Sequence, residues 1–260
     1  MSGDTLVGSV RVQRSEADQV WSVRIGGSRG NVLDAGVIGA LGRIFEEAGR
    51  AGDLKAICLS GEGEHFSFGA SVPEHLPGQV EGMLPAFHGM FRALFDCAVF
   101  VHVAVRGRCL GGGLELAAAG QRIAASPTAV FGQPEIALGV FAPVASLLLA
   151  ERVGRPRAEE LCLTGRTMDA NEALGLGLVD ELADDPEEAA LAFIRKHLLP
   201  RSAASLRFAN RALRLALRRR LDGDLAALES LYLKELMATR DATEGLRAFL
   251  EKRAPEWRNS

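Results

Sequence analysis

Two glutamates stand twenty residues apart in stretches otherwise poor in charge: Glu115 in Leu110-Gly-Gly-Gly-Leu-Glu115, and Glu135 in Phe131-Gly-Gln-Pro-Glu135. A carboxylate held in apolar surroundings can keep its proton near neutral pH. Two of them around one water fit general acid/base work, one accepting a proton as the other donates. Each also has a plainer reading. Taken alone, Glu135 is better read as a solvent-facing turn residue, since most glutamates lie on surfaces. The glycine run suits a tight turn packed against a neighbour.

The glycines before Glu115 carry a second kind of chemistry. At a strand-to-helix junction they let the backbone approach a ligand, and the free N–H groups of the helix N-terminus face an anion. Such an amide is a natural half of an oxyanion hole. A third segment, Glu64-His-Phe-Ser-Phe-Gly-Ala-Ser71, follows the apolar stretch Lys55 to Ser60. Loops at the carboxyl ends of parallel strands are where α/β proteins tend to bind ligands, although this one also suits an ordinary connection.

The elements that must position these residues follow from the pattern around them. About ten residues of helix after Glu115 travel roughly 15 Å. The chain then turns at Gly120 and returns through the apolar Ile123 to Ala125 and Val130-Phe131. A strand of four or five residues covers a similar distance back, so both carboxylates can meet near one helix N-terminus. Upstream, Val7 to Gln13, Val20 to Ile25, Lys55 to Ser60 and Phe100 to Arg106 read as strands. A helix runs from Asp34, its N-cap, to Gly49, with Val37, Ile38, Leu41, Ile44 and Phe45 on one face. Strand-helix alternation of this kind predicts an α/β fold with parallel pairing.

From about Glu187 the β-rich runs stop and helix-forming residues dominate, with Pro200 and Gly223 as breaks and an end near Arg253. The expected organisation is an α/β core over 1–195 and a helical oligomerisation region over 196–260. Leu225, Leu228, Leu231, Tyr232 and Leu236 form an apolar face expected to need a partner surface. Arg207 to Arg220 carries six arginines interleaved with Leu213, Leu215 and Leu217. A solvated or subunit-facing amphipathic helix explains it better than RNA binding does.

Composition removes several classes of function. At 260 residues, 48% hydrophobic and 24% charged, the chain suits one globular domain with an appendage. A formal net charge of −3 argues against generic nucleic-acid binding. No phosphate-loop, dinucleotide, GxSxG or HExxH motif occurs, and the five histidines show no metal-ligand spacing. Cys58, Cys97, Cys109 and Cys162 are scattered and suit a reducing compartment. No signal peptide is read at the N-terminus, and the longest apolar run, Ile136 to Ala150, is too short for a bilayer. The expectation is a cytoplasmic protein off the membrane.

Several segments together resemble the crotonase (enoyl-CoA hydratase/isomerase) superfamily over nearly the whole chain. They are Phe66-Ser-Phe-Gly-Ala70, Gly107-Arg-Cys-Leu-Gly-Gly-Gly-Leu-Glu115, Phe131-Gly-Gln-Pro-Glu135, Leu163-Thr-Gly-Arg166, Ala173 to Val179 and Glu244 to Arg253. The resemblance implies a spiral of ββα units, a helical C-terminal subdomain, and trimers or dimers of trimers. It implies an acyl-CoA thioester substrate, with no cofactor beyond the coenzyme A carried by that substrate. By motif, the backbone N–H groups of Ala70 and Gly112 would form the oxyanion hole, and Glu115 and Glu135 would be the catalytic pair. Arg29 would lie near the CoA phosphates, and Phe249 and Lys252 match positions that contact the adenine end from a neighbouring subunit.

Two departures single out a subgroup. The family's common Gly-Ala-Asp reads Gly69-Ala-Ser71 here, and its Pro-Gly-Ala-Gly-Gly is replaced by Phe141-Ala-Pro-Val-Ala-Ser146. Pro143 takes the place of a glycine whose N–H helps hold the water, and proline has no N–H to give. With Glu74-His-Leu-Pro77, these features are similar to cyclohexa-1,5-diene-1-carbonyl-CoA hydratases, which makes Ser71, Phe141 and Pro143 expected pocket residues. The expected reaction is hydration of an enoyl- or dienoyl-CoA. A double-bond isomerase of the same fold and a non-catalytic CoA-binding subunit are the alternatives.

Overall fold

The computed structural model describes residues 4–260. Strands β1 (Asp4–Val7) and β2 (Val10–Ser15) form an antiparallel hairpin that turns at Gly8, φ +62°. The single strand expected over Val7 to Gln13 is therefore two, because a left-handed glycine reverses the chain inside it. β3 (Val20–Ile25) pairs antiparallel with β2 and parallel with β4 (Ala56–Gly61). Parallel pairing continues through β5 (Phe100–Val105), β7 (Arg122–Ala125) and β10 (Glu181–Leu182), giving a seven-stranded sheet. In β4 the residues Ala56 to Ser60 are all buried, as expected of a strand covered on both faces.

A second, three-stranded sheet joins β6 (Arg108–Leu110), β8 (Val130–Gly132) and β9 (Thr167–Asp169). Two of the parallel strands each feed a short strand of this sheet, and a helix follows. Thus β5 leads to β6 and α3 (Gly112–Ala119), and β7 leads to β8, a 3₁₀ turn (Pro134–Leu138) and α4 (Pro143–Val153). An isolated bridge between Ser67 and Cys109 makes the segment after β4 a member of the same series, ahead of α2 (Val80–Asp96). This is the expected spiral of ββα units.

Helix α1 (Ala35–Arg50) starts where expected: Asp34 Oδ1 accepts from the Val37 N–H at 2.9 Å, and Val37, Ile38, Leu41, Ile44 and Phe45 are buried. Beyond α5 (Arg155–Thr164), α6 (Ala170–Gly175) and α7 (Pro186–His197), the chain is helical in α8 (Ala203–Leu213), α9 (Leu215–Ser230) and α10 (Arg240–Leu250). Leu221, Leu225, Tyr232 and Leu246 belong to the main hydrophobic core, so these helices share it with the sheets. Gly223 does not break the chain; it sits inside α9, and the interruption comes at Arg214. Among the described residues, no helix is long and apolar enough to cross a membrane.

Several arginines of the basic stretch are tied to the chain's own backbone and carboxylates. Arg207 donates to the carbonyls of Ala48, Gly49, Ala51, Leu54 and Cys97, and Arg214 to Ala119 at 2.6 Å. Most of these carbonyls lie at the ends of α1, α2 and α3, where helices run out of internal donors. Arg218 pairs with Asp96 and Asp222, and Arg220 with Glu151. These four cations hold helix ends and carboxylates rather than standing free for a phosphate backbone.

Candidate active site

The small sheet explains why residues far apart in sequence meet. Ser67, Cys109 and Phe131 lie side by side in parallel register. The three chains run in one direction and leave the sheet at one edge. Three residues beyond Ser67 is Ala70, three beyond Cys109 is Gly112, and four beyond Phe131 is Glu135. Glu115 then follows one turn into α3. Glu115 and Glu135 are brought together by this parallel register, the arrangement that the helix-and-return path requires.

Ala70 and Gly112 both present main-chain donors to the same space. The Leu33–Ala70 bridge uses the Ser71 N–H and the Gly69 carbonyl. The Ala70 N–H itself has no partner among the described residues. Gly112 is the first residue of α3, so its N–H is one of the donors a helix leaves free. The approach is close: a Cβ on Gly112 would lie 3.1 Å from the Ala70 nitrogen. Gly69, φ +101°, makes this possible, because a side chain there would meet the Leu110 carbonyl at 2.9 Å.

The Glu115 carboxylate lies at the N-terminus of α4, whose N-cap residue, Ala142, has no side chain able to cap it. Glu115 Oε1 accepts from the Ala145 N–H at 2.8 Å, and the Val144 N–H also favours the ionised form. Burial and the charge of Glu135 outweigh these donors and push the carboxyl up to about 8. Glu135 sits in the 3₁₀ turn above Gly111, where a Cβ on that glycine would come within 2.6 Å of Glu135 Oε1. Its Oε2 is buried without a hydrogen-bond partner among the described residues. Burial raises Glu135 to about 7, against its own backbone N–H and the nearby Gln133 side chain. Both polar atoms of Gln133 are otherwise buried and unpaired among the described residues. Near neutral pH the pair can therefore hold one proton between them, as an acid and a base side by side.

Both glutamates, Ala70 and Gly112 line one cavity of about 560 Å³ with mostly apolar walls. Met83, Leu84 and Phe87 of α2 form one wall, and Phe141, Pro143 and Tyr232 another. The exposed Phe68, Arg108, Phe249 and Arg253 contribute to its lining as well. Phe141 therefore faces inward, and Pro143, first residue of α4, lies against the cavity without an N–H. His75 also lines it, with Nδ1 2.8 Å from the Ser71 carbonyl, and burial lowers its proton affinity.

The other expected residues lie elsewhere. Ser71 is not part of the cavity lining: its N–H donates to Leu33 O, and its neighbours Ala70 and Val72 reach the cavity instead. Arg29 and Lys252 are exposed and also outside the lining. Sequence reasoning missed Met83, Leu84, Phe87 and the inward face of Tyr232. The helical spacing of the first three marks a buried face, with nothing to distinguish a pocket wall from ordinary core.

Comparison with known proteins points to one family. The family described as enoyl-CoA hydratase/isomerase matches residues 18–260. The chain is 51% identical over 237 residues to a cyclohexa-1,5-dienecarbonyl-CoA hydratase from Thauera aromatica, covering 91% of this chain and 92% of that protein. It is 38% identical over 212 residues to a probable enoyl-CoA hydratase from Rhizobium meliloti, covering 78% and 80%. Among solved structures, an enoyl-CoA hydratase from Mycobacterium avium subsp. paratuberculosis superimposes with a TM-score of 0.85 at 28% identity, covering 98% of this chain and 100% of that one.

Proposed function

Because the chain belongs to the enoyl-CoA hydratase/isomerase family, we propose that it adds water to a conjugated enoyl-CoA thioester, and that cyclohexa-1,5-diene-1-carbonyl-CoA is its preferred substrate. The observation that carries the reading is the pairing of Glu115 and Glu135, both with raised proton affinity, in one apolar cavity with two main-chain donors. The thioester oxygen lies between the N–H groups of Ala70 and Gly112. One glutamate, ionised, takes a proton from water as the water oxygen bonds to the substrate carbon. Electron density moves onto the thioester oxygen, where each donor is worth about 3 kcal/mol to the transition state. The other glutamate, protonated, delivers its proton to the α-carbon as the enolate collapses. The reaction is redox-neutral and its proton transfers are covered by the pair, so it calls for no cofactor beyond the coenzyme A of the substrate.

The cyclic substrate is supported by the relative from Thauera and by the wall itself. Pro143 and Phe141 present a rigid apolar surface, and a ring fixes its own reacting carbons. Arg29, Phe249 and Lys252 are assigned to the CoA end, Phe249 from the exposed lining of the cavity in its own subunit. Four free cysteines support a reducing, cytoplasmic setting. A homo-oligomer, trimeric or a dimer of trimers, is part of the same reading. The residues that support it are not the face first expected, since Leu225 and Tyr232 are covered within the chain. Phe208, Leu213 and Leu215 are instead 69%, 85% and 52% exposed. Sedimentation as a monomer at micromolar concentration would remove the oligomer.

The deciding experiment compares kcat/KM for cyclohexa-1,5-diene-1-carbonyl-CoA and crotonyl-CoA under identical conditions, with product mass recorded. A gain of one water and a faster cyclic reaction are expected. A product of unchanged mass makes the protein an isomerase. A tenfold preference for crotonyl-CoA removes the cyclic substrate and leaves the hydratase.

A further inference from the structure

Tyr232, the single tyrosine of the chain, is 1% exposed and lines the cavity that holds Glu115 and Glu135. Its hydroxyl oxygen is buried and has no hydrogen-bond partner among the described residues. A buried phenol left unpaired is unfavourable, and tyrosine is retained in such places where its oxygen meets something. The ring is already fixed, tilted against Phe141 with centroids 5.3 Å apart. It also sits in a π-helical turn, Leu231–Glu235, which follows α9 directly. Such turns cluster at functional sites because the extra residue re-aims side chains. Here Leu231 is 42% exposed while its neighbour Tyr232 is sealed inside.

The same cavity is short of partners for a water molecule. Pro143 has no N–H, and the next two N–H groups of α4 serve Glu115. Glu135 Oε2 is a second buried polar atom without a partner among the described residues. We propose that Tyr232 is a positioning residue for the reacting water: its oxygen accepts one O–H of that water while the ionised glutamate accepts the other. Both water hydrogens are then directed away from the substrate, and a lone pair is left facing the carbon under attack. The phenol's own hydrogen is available to Glu135 Oε2. In the reverse direction the same oxygen receives the departing water. The phenol stays protonated throughout, because burial and the charges of Glu135 and Glu115 all raise its pKa. It orients and does not exchange a proton.

This inference rests on the hydratase reading, and its test separates the two. Tyr232→Phe removes the oxygen and keeps the ring that packs on Phe141. Its kcat should fall about 10- to 100-fold on cyclohexa-1,5-diene-1-carbonyl-CoA and on crotonyl-CoA, with KM changed by less than about threefold. The thermal midpoint should not fall, which excludes a packing role. Independently, 3-fluorotyrosine incorporation gives a protein with a single ¹⁹F resonance, and butyryl-CoA, which cannot react, should shift it. A Tyr232→Phe enzyme within twofold of wild-type kcat on both thioesters overturns the inference, and so does a resonance that butyryl-CoA leaves unmoved. Wild-type turnover of crotonyl-CoA alone defeats the cyclic substrate while the variant still decides Tyr232. Wild-type turnover of neither thioester defeats both.

Discussion

Glutamine in place of Glu115 should leave the enzyme nearly inactive and should gain stability relative to the wild type as pH rises from 5 to 8. The Glu115 carboxyl is raised from 4.5 to about 8, chiefly by burial. A folded-state pKa above the unfolded value means that its favourable contribution is complete below about 4.5. That contribution is lost as pH rises, and the loss levels off above about 8. At about 1.4 kcal/mol per unit, the penalty grows by roughly 3–4 kcal/mol between pH 5 and pH 8. Glutamine carries no such penalty. Its Oε1 can still accept from the Ala145 N–H, and any pH-independent cost of its amide cancels when two pH values are compared. At roughly 2–4 °C per kcal/mol for a chain of this size, the variant's Tm advantage should widen by on the order of 10 °C over that interval. Thermal unfolding of the ligand-free proteins at matched concentration, followed by circular dichroism from pH 5 to 8.5, measures this directly. Parallel pH curves for the two proteins would refute the reasoning, because they would mean that the folded state ionises Glu115 as easily as the unfolded chain does.

Glu135→Gln should lower turnover at least about 100-fold, as should Glu115→Gln, and the double variant should be little worse than the poorer single one, as expected of groups acting as a unit; full additivity in steady-state assays would contradict a shared water. Ala70→Ser should retain most activity while Ala70→Pro loses about 100-fold or more, since only proline deletes the N–H; circular dichroism must first establish that the proline variant folds, and equal tolerance of both removes Ala70 from the oxyanion hole. Gly111→Ala should cost at least about tenfold in kcat, because Gly111 has φ +52° and a Cβ there would press on Glu135 Oε1; wild-type kinetics would show that Glu135 need not stay where it is.

The parts of the fold set by local pattern were legible in the sequence. Asp34 capped the predicted helix, the buried run of β4 gave a central parallel strand, and the glycine turn opened α3 with Glu115 in its first turn. The proximity of the two glutamates was legible as a path length, though not the register of Ser67, Cys109 and Phe131 that causes it, because three-residue strands carry almost no periodicity. The C-terminal face was misread for a definite reason. A helical wheel drawn from Leu225 to Leu236 assumes one pitch, and the π turn at Leu231–Glu235 breaks it. Gly223 misled because a glycine in an exposed helix costs only about 1 kcal/mol, too little to end it. The arginines of α8 and α9 were read as one surface because their carbonyl partners lie more than a hundred residues away for most of those bonds.

The parallel stacking of three short chain ends divides the protein into a fixed part and a variable one. The donors proposed to face the thioester belong to the main chain, so most substitutions cannot delete them, whereas adding or removing one residue between Ser67 and Ala70 or between Cys109 and Gly112 would displace them. The side chains that wall the cavity come from elsewhere, from α2, from the start of α4 and from the turn after α9. Residues such as Met83, Leu84 and Phe87 can therefore change in size without disturbing the register that aligns the chemistry. A protein built this way can be retailored to new acyl groups by side-chain replacement, while remaining intolerant of length changes in the two loops that carry its donors.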